Sequence, residues 1–388
     1  MVMDSASTSV EQNCYNYEPA KNLLNSDTMA AIKTAESCIN AYRYKIDETE
    51  RRILASNLLN FLAIYGSLND INAETLFASE DDIKIFKEGK LYTQIYLKCM
   101  NGHNEQNGFF KLVNQNLENG GYLICCLETL KSRSKRISRK YPSIVSCPLC
   151  LVDFIFQRVF PKLKPTRKLY YLVTGGRNKA MSWTEIMGRL AAGGFELVEC
   201  RDLDNMTFIV SKKVKEPVNI EAENSGLFIK LKRVGKDGKF IYVYKFRTMH
   251  PYAEFLQDYA YQINGTKDGD KIENDFRVTR WGRILRKYWI DEQPMWINLL
   301  LGQLKLVGVR PLSEHKLSLY PEELRIRRLK YKPGLFPPYY ADLPKTNEEF
   351  FACENKYLDA YESNPLLTDL RYFLTIFYNI FFKRARSA

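Results

Sequence analysis

Histidine is nearly missing from this sequence, with only three among 388 residues. That leaves little material for imidazole cages or histidine bases. The nine cysteines form no framework. Cys147 and Cys150 make one CxxC in "SCPLCLVDFIF", with no second pair and no histidine nearby. A zinc site is therefore not supported, and either a redox pair or two partly buried free thiols remain. The odd cysteine count and the lack of a signal peptide point to a reducing cytosol. No run is read as reaching the roughly 18 to 20 apolar residues of a spanning helix, so no integral membrane segment is expected.

What is present is length and positive charge. A chain of 388 residues exceeds one common core, so two domains are expected. Apolar residues at 45% and charged residues at 26% describe a globular protein. A net charge of +12 favours anionic partners: nucleic acid, phosphorylated substrates or an acidic membrane surface. A merely soluble basic surface is the plainer alternative. Residues 149–168 and 370–386, "LCLVDFIFQRVFPKLKPTRK" and "LRYFLTIFYNIFFKRAR", each join an aromatic-rich apolar body to Lys and Arg. Such stretches lie on membranes, or are core helices ending in cations.

Residues 1–40 are polar and non-periodic, a loose tail. Residues 41–67 are expected to be helical. Then "LYTQIYLKCM" is a strand, "NGFFKLVNQNL" a helix and "YLICCLET" a buried strand. "SWTEIMGRLAAGGFELVEC" is a helix, a glycine cap and a strand, with Ser182 and Glu185 as a capping box. "DNMTFIVSKKV" is a last strand. Through "LVNQNLENGGYLICCLET" and "EIMGRLAAGGFELVE" this region is similar to the C-terminal half of class I methyltransferase-like Rossmann domains. The glycine-rich loop that such a cofactor pocket needs is missing, which argues against S-adenosylmethionine. The expectation is a degenerate α/β domain over residues 41–214, kept for packing or for contact with a protein partner. A polar linker, 215–226, follows.

From residue 227 the texture changes. "GLFIKLKRVGKDGKFIYVYKFRTMHP" reads as a hairpin turning at Asp237-Gly238. Lys245 and Arg247, two apart on its second strand, share a face. "TRWGRILRKYW" is a helix, with Arg283 and Arg286 as neighbours. Asp291 and Glu292 then open a helix, because Pro294 is tolerated only in a first turn. Alone, the two acids are a helix cap. In company they are more. Lys245, Arg247, Arg277, Arg286 and Arg310 can converge there, and guanidinium groups at a helix start make a diphosphate site. Two carboxylates placed in such a site would repel phosphate unless one holds a metal or reacts with phosphorus.

"RVGKDGKFIYVYKFRTM", "DFRVTRWGRILRKYWIDEQP" and "LKLVGVRP" together resemble the bacterial sugar transferases, the monotopic phosphoglycosyl transferases. The resemblance implies transfer of sugar 1-phosphate from a nucleotide diphosphate sugar, a UDP-sugar by preference, to polyprenyl phosphate. It implies an α/β domain over 227–388 with short strands and amphipathic helices. Asp291 would be the nucleophile and Glu292, with Asp291, would hold Mg²⁺. Lys245, Arg247, Arg277, Arg286 and Arg310 would bind phosphates. It also implies work at the cytoplasmic face of the bacterial inner membrane, peripherally, on exopolysaccharide or a related glycan. A non-catalytic sugar-nucleotide-binding homologue is the alternative. Nucleic acid is not expected, since the cations sit in these motifs and not in a groove-binding frame.

The sequence departs from that family in four places. Gln293 and Met295 stand in a D-E-L-P-Q motif, and Val309 in G-P-R-P. "LFPPYYADLP", 335–344, replaces a T-G-L-W-Q-like run. A polar segment stands where the family has an apolar re-entrant helix.

Overall fold

The computed structural model describes residues 76–77, 91–96, 99–102, 106–203, 206–219, 226–264, 266–267, 271–272 and 274–383. The expected tail over 1–40 and the expected helix over 41–67 lie outside these residues. The chain is mixed α/β and divides into two compact units. One comprises Met1–Ser225 with Pro251–Gln257, the other Gly226–His250 with Asp258–Ala388.

The first unit is built on a five-stranded sheet of order β1-β2-β3-β5-β4. Its strands are β1 (Leu76–Phe77), β2 (Leu91–Tyr96), β3 (Leu117–Leu127), β4 (Phe195–Leu203) and β5 (Met206–Lys213). β1, β2 and β3 run parallel, and β5 is antiparallel to both β3 and β4. Leu123–Leu127 are buried without alternation, as a central strand covered on both faces requires. Helix α1 (Gln106–Asn116) places Phe109, Phe110 and Val113 on one face and buries them. Phe109 meets Tyr96 of β2 with ring centroids 4.6 Å apart. At the end of α1, buried Lys213 donates to the carbonyls of Asn114 at 2.7 Å and Leu117 at 3.2 Å, where a helix terminus favours a cation.

Four helices separate β3 from β4. They are α2 (Leu130–Lys140), α3 (Ser143–Phe154), α4 (Lys164–Thr174) and α5 (Trp183–Ala192). α3 runs on through a π turn, Ile155–Val159, and a 3₁₀ turn, Phe160–Lys162. Ser143–Lys162 is thus one 20-residue helical stretch, long and apolar enough by length and composition to cross a membrane. This corrects the sequence expectation. Asp153, Gln157 and Arg158 interrupt the apolar run in sequence, but the fold gives the two ions partners: Asp153 takes two bonds from Arg133, and Arg158 pairs with Glu185.

Ser182 caps α5 by accepting from the Glu185 amide at 3.3 Å. The Glu185 carboxylate, expected to complete a capping box, serves Arg158, Lys162 and Arg189. After α5 the chain turns at Gly194, whose φ of +86° would strain any other residue and whose missing Cβ leaves room for the Lys215 carbonyl. Val214, Lys215 and Val218 donate to the carbonyls of Gly194 and Ala192, so the start of the expected linker belongs to the first unit. Cys99, Cys125, Cys126, Cys147, Cys150 and Cys353 lie outside any disulfide, while Cys200 is disulfide-bonded. No group of three metal-binding side chains occurs among the described residues.

The second unit opens with the hairpin of β6 (Phe228–Val234) and β7 (Phe240–Phe246), registered Phe228 against Phe246. Its turn holds Asp237 at φ 56° and Gly238 at φ 74°. Next come α6 (Gln257–Asn264), the short pair β8 (Thr266–Lys267) and β9 (Lys271–Ile272), and α7 (Arg280–Lys287). A 3₁₀ turn, Gln293–Met295, leads into α8 (Trp296–Leu300). β10 (Lys305–Val307) pairs parallel with β11 (Gly334–Phe336), across α9 (Glu314–Ser318) and α10 (Glu322–Leu329). α11 (Tyr339–Asp342), α12 (Asn347–Ser363) and α13 (Pro365–Phe381) complete the unit. Their aromatic core includes Trp289, Phe336, Tyr340 and Tyr357. In α13, Tyr372, Ile376 and Ile380 enter the core, while Leu370, Leu374 and Phe377 face outward.

Candidate active site

The Asp291–Glu292 pair is placed by what precedes and faces it. Trp289 adopts the left-handed region at φ 60°, a costly conformation for a bulky residue. It is held there by packing: its ring stacks on Phe336 with centroids 4.8 Å apart, and its Nε1 donates to the Tyr340 hydroxyl at 3.3 Å. The chain then runs against β7, where the Phe246 amide donates to the Asp291 carbonyl at 2.9 Å. Seven residues on, buried Asn298 fastens α8 to the same strand. It accepts from the Tyr244 amide at 3.0 Å and donates to the Tyr242 carbonyl at 2.7 Å. Gly282 of α7 rests on the Thr248 carbonyl, which a Cβ would meet at 2.0 Å. That close approach lets Arg286 reach Thr248 Oγ1 at 3.1 Å.

Both carboxylates are buried, Asp291 to 8% and Glu292 to 4% exposure. Glu292 Oε1 accepts from Lys245 Nζ at 2.5 Å. Asp291 Oδ1 has no hydrogen-bond partner. A buried polar atom without a partner costs free energy and demands an explanation. Burial first, and repulsion from Glu292 second, push the Asp291 carboxyl above its ordinary range, against the pull of Lys245 and Arg286. Burial in turn pushes the Arg286 guanidinium down, with Asp291 the largest opposing influence.

Beside the pair lies a cavity of about 130 Å³ lined by Arg233, Lys245, Glu292, Arg310, Ser313, Lys316 and Tyr339, among others. Arg310 has no carboxylate partner among the described residues, and its guanidinium sits 5.8 Å from the Tyr339 ring centroid. Tyr339 and, behind it, Glu292 hold the Arg310 proton more tightly than usual, against the effect of burial. Burial first and Arg310 second push the Arg233 guanidinium down.

The structure brings Lys245, Arg286, Arg310, Asp291 and Glu292 together and sets two expected phosphate ligands aside. Arg277 is neutralised by Asp275, donating from Nε at 2.9 Å and from Nη2 at 2.8 Å. Arg247 falls just past the end of β7, and its Nε donates to the Gly226 carbonyl at 2.9 Å. Each of these two guanidiniums thus has a partner within the fold. Arg233, Ser313, Lys316 and Tyr339 were missed. Arg233 was legible as the arginine of "RVG", on the same hairpin as Lys245, whereas the loop after β11 that carries Tyr339 departs from the family pattern. Met295 and Val309, two of the departures from that pattern, are core residues at 2% and 3% exposure, so they alter packing and leave the carboxylates in place.

Two hard carboxylate oxygens, one unpartnered, suit a small divalent cation such as Mg²⁺, which takes few protein ligands and completes its shell with water and phosphate.

Residues 214–383 match the family described as bacterial sugar transferase. Over 111 residues the chain is 39% identical to the uncharacterized sugar transferase EpsL of Bacillus subtilis, covering 29% of this chain and 48% of that protein. It is 38% identical over 104 residues to the galactosyl transferase CpsE of Streptococcus agalactiae, covering 26% and 23%. It is 36% identical over 109 residues to an undecaprenyl-phosphate galactose phosphotransferase of Salmonella typhimurium, covering 26% and 22%. The chain spans less than half the length of each of these three relatives. It is residues 214–383, which carry the carboxylate pair and its cations, that match the bacterial sugar transferase family.

Proposed function

We propose that the second unit transfers a sugar 1-phosphate from a nucleotide diphosphate sugar, a UDP-sugar by preference, to polyprenyl phosphate, and that Asp291 is the nucleophile. The observation that carries this reading is the buried Asp291 Oδ1, which lacks a hydrogen-bond partner and belongs to the residue next to Glu292, itself part of the lining of a cation-rich cavity. Asp291 attacks the phosphorus attached to the sugar. The bond from that phosphorus to the nucleotide breaks, and its electron pair leaves on the nucleoside monophosphate. An oxygen of polyprenyl phosphate then attacks the same phosphorus, the bond to Asp291 breaks, and a polyprenyl diphosphate sugar departs. Two displacements spare the substrates from meeting in one complex.

Arg310, Arg233 and Lys316 line the space a diphosphate would fill, where preorganised cations lower the cost of an anionic attack on an anion. Lys245 donates to Glu292 and orients it. Mg²⁺, held by Glu292 and Asp291, would offset the charge developing on the phosphates. The acceptor is membrane-borne, so the work is expected at the inner face of the bacterial membrane, in assembly of exopolysaccharide or a related glycan.

A non-catalytic role in binding a sugar nucleotide is favoured by one observation, the Lys245–Glu292 pair, which commits a carboxylate that a metal would otherwise share. Release of nucleoside monophosphate from a panel of nucleotide diphosphate sugars, with polyprenyl phosphate in detergent, decides between the two. Turnover that Asp291→Asn abolishes supports transfer, as does sugar-phosphate label retained on the wild-type protein without acceptor. Donor binding without release from any of the panel favours the binding role.

A further inference from the structure

We propose that the helices α3 and α4 of the first unit form a surface that docks into the interface of an anionic lipid bilayer. The inference concerns lipid binding and does not depend on the transferase reading.

The first observation is exposure. Within Ser143–Lys162 only 11% of the most apolar 18-residue window is buried. Ile144 is 90% exposed, and Val145, Leu151, Val152 and Ile155 are exposed at helical spacing along the same stripe. On α4, Leu169, Leu172 and Val173 repeat the pattern, with Leu172 at 83%. The two helices are not loose. Phe156 packs on Tyr170 with centroids 5.5 Å apart, and the Tyr170 hydroxyl bonds to Gln157 Oε1 at 2.9 Å. The inner faces are therefore satisfied, and the outer faces leave water contact with many apolar side chains, an arrangement that marks an interaction surface.

The second observation is charge. Residues 129–182 carry 13 Lys and Arg and one acid, Asp153, a net charge of +12, which equals that of the whole chain. The rest of the chain is balanced. Asp153 is itself bound by Arg133. Arg139 and Lys140 are exposed at the approach to α3, and Arg167 and Lys168 on α4. An apolar face rimmed by cations and free of unpaired acids matches the boundary between acyl chains and anionic headgroups. A nucleic acid would match the cations but leave the apolar stripe wet. A second protein chain would need acids to face this rim.

Docking in the interface fits better than crossing. Arg158 and Lys162 hold the end of the stretch to Glu185 of α5, and Asp153 lies near its middle. Pulling these ions through hydrocarbon would cost more than the apolar stripe returns.

Flotation of the full-length protein with vesicles of phosphatidylcholine, alone or with phosphatidylglycerol, tests this. The expected result is flotation with the anionic vesicles that weakens as salt rises. The double variant Ile144→Asp, Leu172→Asp is expected to lower the floated fraction at least about tenfold, since each side chain leaves its apolar burial. Both positions are exposed, so an unchanged melting curve verifies the fold. Arg167→Glu with Lys168→Glu should weaken flotation on anionic vesicles only. Leu374→Asp, on the outer face of α13, should leave it unchanged. Flotation that survives Ile144→Asp, Leu172→Asp, or that is lost in Leu374→Asp alone, overturns the proposal. So does a lipid-free dimer that the double variant converts to monomer, which would make the occupant a second copy.

Discussion

Glu185 and Asp291 are both buried carboxylates beside cations, and they have opposite fates. Burial would raise the Glu185 carboxyl, but Arg158, Lys162 and Arg189 overrule it and hold the group well below the usual range. Asp291 has Lys245 and Arg286 in its field, yet burial and Glu292 win and the carboxyl rises. The difference is in the partners: each Glu185 oxygen is bonded, while one Asp291 oxygen is not. A carboxylate whose lone pairs are all committed cements a fold. One left uncommitted in a desolvated, cation-lined place is available to a substrate.

The largest expected effect separates them by activity. Asp291→Asn should cost at least about 10⁴-fold in turnover, as loss of a nucleophile does, whereas Glu185→Gln should spare the chemistry of any molecules that stay folded. Next comes stability. Glu185→Gln leaves three cations uncompensated and should cost roughly 3–5 kcal/mol, read from denaturant unfolding. Asp291→Asn removes a buried charge and should stabilise by about 1 kcal/mol at neutral pH, in the usual trade of stability for activity. A stability loss in Asp291→Asn would collapse the distinction.

The pH dependence sharpens the comparison further. Because the folded Asp291 carboxyl lies above its unfolded value, its burial destabilises above the folded value, and that cost fades as pH falls towards the unfolded one. The advantage of Asp291→Asn should therefore shrink on acidification, by chemical denaturation at a series of pH values. The acid limb of turnover should sit above the usual aspartate range, and Lys245→Gln should move it higher by removing a nearby cation. For Glu185 the sign reverses: its contribution is present above the unfolded carboxyl value and is lost only on strong acidification. The smallest effect is expected for Lys162→Met. Burial pushes that ammonium down to about 7, with Arg158 acting in the same direction. Removal should change stability by under about 1 kcal/mol, since Arg158 and Arg189 still serve Glu185.

Much of the second unit was legible. The Asp237-Gly238 turn, the carboxylates before Pro294 and the cations of the hairpin are local signals, and local signals survive without the fold. Trp289 was not legible, because its left-handed backbone is stabilised by Phe336 and Tyr340, 47 and 51 positions away. Arg277 has its partner Asp275 two residues before it; spacing shows that they are close, not which group the guanidinium chooses. The length of the apolar helix escaped because Asp153 and Arg158 break the run in sequence. Their partners Arg133 and Glu185 come from other helices, so only the fold shows that the ions are neutralised.

Pro251–Gln257, which falls within the family match, belongs to the first unit. There Tyr252 lies under the Arg189 guanidinium at 4.3 Å and accepts from Asn107 Nδ2 at 2.6 Å. The chain therefore passes between the units not once but three times, like a running stitch. A single cut at residue 225 would free neither half intact: the C-terminal fragment would carry Tyr252 away bare, and the N-terminal one would keep an arginine with its aromatic cover removed.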